Sequence, residues 1–124
     1  LSILNTLNIL YNSYSAEFSL YQKCHEWIEQ HAFCPITAEY TAEAMGCTVA
    51  HLNRTVKKYS NKCLSVTIAE ARISAIKQFV KFSNSSFQDI AQKLGFESAE
   101  QLRKFFKYHT GVSLKEYKKQ YFNT

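Results

Sequence analysis

The chain has 124 residues, 46% of them hydrophobic, which is enough for one ordinary core or two small helical subdomains and excludes a multidomain enzyme. Its net charge of +5 is unevenly placed. Residues 1–50 hold one base (Lys23) and five acids (Glu17, Glu26, Glu29, Glu39, Glu43), a net −4, whereas residues 51–124 hold fourteen bases and five acids (Glu70, Asp89, Glu97, Glu100, Glu116), a net +9. A basic segment rich in Phe and Tyr favours a polyanionic partner over an acidic small molecule.

The chain begins with Leu1 rather than Met, and is read as part of a longer protein or a processed product. The first sixteen residues carry no charge, but Asn5, Asn8 and Asn12 interrupt them, and the run is shorter than the ~20 apolar residues of a membrane span. It also lacks the basic start of a signal peptide, so no membrane contact is expected of this domain. Ile3, Leu7, Leu10 and Tyr14 fall at a/d-like spacing. Residues 1–19 are therefore expected to be a connector from a preceding domain or an amphipathic dimerising helix.

Three glycines, a single proline and no sustained alternation of apolar and polar residues predict an all-α fold. Leu20, Cys24, Trp27, Ile28 and His31 define a first helix that should stop before Pro35, because the residue preceding proline avoids the α region. Thr37 caps a second helix running to Met45, with Gly46 as its left-handed stop. Thr48 caps a third from Val49 to about Tyr59, ended by Asn61. The longest runs from about Val66 to Ser83, with Ile68, Ile73, Ile76, Phe79 and Val80 on a broad apolar face. Ser86, with Asp89 three residues on, opens a fifth helix that ends at Gly95. Ser98, with Gln101 in the reciprocal position, opens a sixth that Gly111 closes. Ser113 and Glu116 form a capping box for a seventh, through Tyr121.

Cys24, Cys34, Cys47 and Cys63 form no CxxC pair. They are read as separate reduced thiols, which points to the cytoplasm. Cys24, His25, His31 and Cys34 are all metal-ligand types, but neighbours such as Cys24 and His25 point about 100° apart on a helix and cannot close one tetrahedron. No metal, cofactor or enzyme activity is expected. The histidines (His25, His31, His51, His109) are scattered, and the chain has no Gly-rich phosphate loop.

An internal repeat carries most of the functional information. A shift of 50 pairs Thr48 with Ser98, Leu52 with Leu102, Arg54 with Lys104, Val56 with Phe106, Lys57 with Lys107, Ser60 with Thr110, Asn61 with Gly111, Cys63 with Ser113 and Leu64 with Leu114. Upstream the shift becomes 49, matching Ala42-x-x-x-Gly46 to Ala91-x-x-x-Gly95. The repeated unit is a short helix, a tight Gly-containing turn and a capped second helix, which is the helix-turn-helix pattern. In each second helix an apolar stripe (Leu52, Val56, Tyr59; Leu102, Phe105, Phe106) is interleaved with a polar one (Ala50, Asn53, Arg54, Lys57; Glu100, Arg103, Lys104, Lys107). A polar stripe is ordinarily a solvated face. Here it occurs twice, with side chains suited to base edges: Asn and Gln for adenine N6 and N7, Arg and Lys for guanine O6 and N7, Glu for cytosine N4.

The segment from about Trp27 to Lys119 resembles the DNA-binding domain of AraC/XylS-family bacterial transcription regulators. The resemblance rests on Ile90-Ala91-x-x-x-Gly95-Phe96-x-Ser98, followed by Phe106-Lys107, Gly111 and Tyr117, together with Leu52-x-Arg54-x-x-Lys57 and an arginine, Arg72, in the long middle helix. The chain departs from the family pattern at Gln101-Leu102, where an aromatic pair is usual. It also departs at Leu114 for proline, Lys118 for arginine and Asn61 for glycine. The resemblance implies seven helices in two helix-turn-helix subdomains (20–65 and 84–124) joined by a rigid connecting helix (66–83). It also implies base-reading positions at Ala50, Asn53, Arg54, Ala99, Glu100, Gln101 and Lys104.

A connecting helix of about 18 residues, or roughly 27 Å, would space two recognition helices for successive major grooves about 34 Å apart. Lys57, Lys58, Arg103, Lys107 and the amides following Thr48 and Ser86 are expected to neutralise phosphates. The acids of the first two helices are expected to lie away from the groove. Double-stranded DNA is the expected partner, with RNA polymerase and a second copy of the chain as protein partners. The competing reading is a helical protein-interaction module whose basic face docks on an acidic protein.

Overall fold

A computed structural model describes residues 2–122. Among them it contains seven helices and no strand: α1 (Ser2–His31), α2 (Ala38–Met45), α3 (Val49–Ser60), α4 (Leu64–Phe82), α5 (Phe87–Lys93), α6 (Ala99–Thr110) and α7 (Leu114–Phe122). The caps are largely those the sequence predicts. Thr37, Thr48, Ser86 and Ser98 lie extended at N-caps, each accepting from the N–H three residues on. Gly46, Gly95, Gly111 and Asn61 all have positive φ in the turns that follow α2, α5, α6 and α3.

Two boundaries differ from expectation. The first helix does not begin near Leu20. It is continuous from Ser2, and no glycine or proline interrupts the sequence before His31. Ile3 and Leu7 are exposed on that extension; the side chains of Leu10 and Tyr14, which complete the expected stripe, lie outside the described residues. The connecting helix begins at Leu64 rather than Val66, and the acceptor for its first N–H comes from a different helix, a contact no local pattern displays.

The buried residues form two clusters. The first gathers Cys24, Ile28, Ile36, Ala42, Leu52, Val56, Leu64 and Ile68. The second gathers Ile73, Ala75, Ile76, Val80, Ile90, Ala91, Leu94, Leu102, Phe106 and Leu114, together with Ala32 from the end of α1. Leu52, Leu102 and Phe106 are wholly removed from solvent, each contributing about 1.5–3 kcal/mol of transfer free energy. The N-terminal half of α4 serves the first cluster and its C-terminal half the second, with Ala71 packed against both.

Arg72 holds the two units together at the middle of α4. Its buried guanidinium donates through Nη1 to Ala32 O at 3.0 Å and also to Cys34 O, and through Nη2 to Leu94 O at 2.8 Å. The same group lies 4.7 Å from the Phe96 ring centroid. One side chain thus joins the end of α1 to the turn of the second unit. Charged donors on neutral acceptors are among the stronger protein hydrogen bonds.

Candidate nucleic-acid interface

The outer helices of the two units, α3 and α6, are built alike in atomic detail. Thr48 Oγ1 accepts from His51 N at 3.1 Å, and Ser98 Oγ from Gln101 N at 3.1 Å. At the other end Ser60 Oγ donates to Val56 O at 2.7 Å, as Thr110 Oγ1 does to Phe106 O at 2.7 Å. Each hydroxyl then accepts from the N–H two residues on, Lys62 or Val112, at 3.2 Å. Asn61 (φ 60°) and Gly111 (φ 77°) follow in the left-handed conformation. Two helices with the same entry, exit and inward face present the same outward face, spaced by α4 and its 19 residues.

On α3 that face carries Ala50, His51, Arg54, Lys57 and Lys58, all exposed; on α6 it carries Glu100, Gln101, Arg103, Lys104 and Lys107, all exposed, with Ala99 half-buried at its edge. Ten of the thirteen candidate positions named from sequence are therefore on the open surface of α3 or α6 or at its edge. Thr48 and Ser86 are exposed N-caps, of α3 and α5. Arg103 is held from below by Phe87, its guanidinium 5.5 Å from the ring centroid.

Asn53 is the exception. It is half-buried, and its Oδ1 accepts from Leu64 N at 2.8 Å, so its carboxamide is turned toward α4 rather than outward. Gln101 is exposed, but its Oε1 accepts from Glu97 N at 2.6 Å, one residue before the N–H that a reciprocal capping box would use. Glu100 pairs with Lys104 at 3.3 Å one helical turn away, both side chains largely in solvent, which partly neutralises the acid on the stripe.

The expectation that acids lie away from this face covers the first two helices as read from Leu20 onward; with α1 continuous from Ser2 it does not extend to Glu17, whose Oε2 accepts from Lys58 Nζ at 2.6 Å. The continuous α1 makes this contact, running beside α3 with Phe18 and Tyr21 both packed on Tyr59 at 5.4 Å between ring centroids. The hydrogen bond and charge of Lys58 hold the Glu17 carboxyl below its ordinary pKa, and the charge of His51 adds to the effect. Glu17, His51, Arg54, Thr55 and Lys58 line one cleft between α1 and α3.

Sequence reasoning missed Glu17, His51 and Tyr108. Tyr108 is among the most exposed large side chains, on the same face as Lys104 four residues before it. Helical spacing could have found both His51 and Tyr108. Glu17 needed the knowledge that α1 has no break.

Among the described residues no group of three or more His, Cys, Asp or Glu side chains could hold a metal ion. The cysteines there are unpaired with one another. Among the described residues no helix is long and apolar enough to cross a membrane.

This arrangement is shared with known proteins. A helix-turn-helix domain family matches residues 41–120. The multiple antibiotic resistance protein MarA of Escherichia coli (strain K12) is 31% identical over 93 residues, covering 75% of this chain and 73% of MarA. Among solved structures, the C-terminal domain of AraT, a response regulator from Geobacillus stearothermophilus, superposes with a TM-score of 0.74 at 19% identity, over 82% of this chain and 84% of that one. The DNA-binding domain of AdpA, a global transcriptional factor solved in complex with a target DNA, gives 0.71 at 19% identity over 82% and 91%. With its seven helices, its duplicated helix-turn-helix and these relatives, the chain belongs to the AraC/XylS family of transcription regulators, as a sequence-specific DNA-binding domain and not an enzyme.

Proposed function

We propose that α3 and α6 enter successive major grooves on one face of double-stranded DNA, so that a single copy reads a two-part, asymmetric site. The observation that carries this reading is the atomic repetition of the two capped helices at the two ends of α4, whose 19 residues span roughly 28 Å. That length suits grooves about 34 Å apart once the width of the flanking helices is added.

Arg54 and Lys104, at equivalent positions, are the principal base readers, suited to guanine O6 and N7. Ala50 and Ala99 contact thymine methyls at most. Glu100 reads a cytosine N4 or restrains Lys104, and Gln101 contributes its amide donors. Lys57, Lys58, Arg103 and Lys107, with the open amides after Thr48 and Ser86, take phosphates. RNA polymerase and a second copy docking through the exposed Ile3–Leu7 stripe of α1 are its protein partners, and the cytoplasm is its place of action.

Selection from a pool of random duplexes tests this. Two enriched elements about one turn apart are expected, with binding that weakens steeply as salt rises because several counterions are displaced. No enrichment, or a shallow salt slope of the kind a protein docking face gives, overturns it.

A further inference from the structure

The two units differ at several positions, and two of these differences bear on the start of α4. Where the second unit has Ser113, whose Oγ accepts from Glu116 N at 3.1 Å and caps α7, the first has Cys63. The thiol of Cys63 makes no cap bond to α4 and lies 3.3 Å from Ser65 Oγ. Where the second unit has the exposed Arg103, the first has Asn53, whose Oδ1 accepts from Leu64 N at 2.8 Å. Asn53 thus supplies, from the middle of α3, an acceptor for the first N–H of α4, a different amide from the Val66 N–H that a serine at position 63 would cap.

On the reading that α3 enters DNA, we infer that Asn53 is a positioning residue: its carboxamide oxygen gears α3 to the first residue of α4 and so sets the spacing between the two recognition helices. Reading adenine requires the oxygen and the nitrogen of the amide to face N6 and N7 together. Here the oxygen is aimed at a backbone N–H within the protein. The amide N–H donors that remain cannot single out adenine without the oxygen beside them. The bond lies where a small rotation matters, since α4 is already fixed to the second unit by Arg72 and carries Leu64 in the first core. Loss of the Asn53 contact leaves α6 in place and lets α3 turn on its apolar face.

The test compares wild type, Asn53→Ala and Asn53→Asp in selection from one random duplex pool, followed by binding to the recovered duplex and to versions with one base pair inserted or deleted between its two elements. One base pair shifts the second element by about 3.4 Å and turns it by roughly 35°. Asn53→Ala is expected to recover the same bases in both elements but to lose roughly fivefold of the discrimination against shifted spacing, the ratio that one hydrogen bond supports. Asn53→Asp, which keeps an acceptor for Leu64 N–H and deletes the donor, is expected to keep both the wild-type spacing and the wild-type bases. A changed base preference in Asn53→Asp, or unaltered spacing discrimination in Asn53→Ala, overturns the inference while leaving DNA recognition intact. A wild-type chain that enriches nothing overturns both.

Discussion

A Cβ placed on Gly95 would lie 2.5 Å from Cδ of Pro35 and 2.9 Å from its Cγ, so the one proline of the chain and the turn glycine of the second unit meet without room for a methyl group. Gly95 also has φ +79°. Gly95→Ala should therefore cost about 2–4 kcal/mol, part from the left-handed backbone and part from overpacking. Gly46→Ala and Gly111→Ala meet nothing within 4 Å and should cost only the backbone part, about 1–2 kcal/mol. Urea titrations of the three variants decide this; equal losses at all three would show that the Pro35 contact is inconsequential.

Arg72→Met keeps the apolar stem and strands the carbonyls of Ala32, Cys34 and Leu94. Unsatisfied buried acceptors of this kind should lower stability by about 3–5 kcal/mol. The placement of the contact adds a sharper expectation. Trp27 fluorescence reports on the first unit and amide exchange at Leu102 on the second, and the two should separate in the variant where they coincide in wild type.

Arg54→Ala should cost ~1–3 kcal/mol on the selected duplex and far less on random duplex, because a bidentate contact to guanine is lost. Equal losses measured by fluorescence anisotropy on both duplexes would make Arg54 a phosphate anchor instead.

Glu17→Gln should strengthen binding to random duplex and steepen its salt dependence, by up to about 0.9 in slope for one further phosphate engaged. The carboxylate competes with phosphate for Lys58. Its pKa is depressed, so the pairing is present above the carboxyl's unfolded pKa and is lost as pH falls through the lower folded value. Acidification should thus narrow the difference between wild type and Glu17→Gln.

The buried Cys24 thiol is pushed up to about 11, chiefly by desolvation. In the unfolded chain it ionises near its ordinary value of 9.0. Above that pH the unfolded state holds fewer protons at this site, so stability falls as pH rises from 9 toward 11, by up to about 2 kcal/mol over two units. Cys24→Ala should show a flatter decline between these pH values in denaturation experiments, although it starts lower from the lost packing.

The helix-turn-helix repeat was legible because it is written in local chemistry: Thr48 and Ser98 cap, Asn61 and Gly111 stop, Leu52 and Leu102 turn inward, and each effect acts within four residues. The N-terminal boundary was less legible, because the apolar repeat of the first helix reads from Leu20 and residues 1–19 read as a connector or a separate amphipathic helix, whereas α1 runs unbroken from Ser2 to His31. The role of Asn53 was not legible at all. Its partner Leu64 is eleven residues away, and the residue type that reads adenine is also the type that caps a helix. Glu17 was missed for a related reason, since its partner Lys58 lies 41 residues on.

Neither cluster of buried residues is complete without α4, and units this small bury only a modest core. Both clusters draw side chains from α4, and a helix propagates order from one turn to the next at far less cost than it nucleates. Melting the first cluster would fray the residues that complete the second, and the reverse holds equally. The shared helix therefore makes the two units a single cooperative folding element, whose amides in α4 should exchange only through global unfolding.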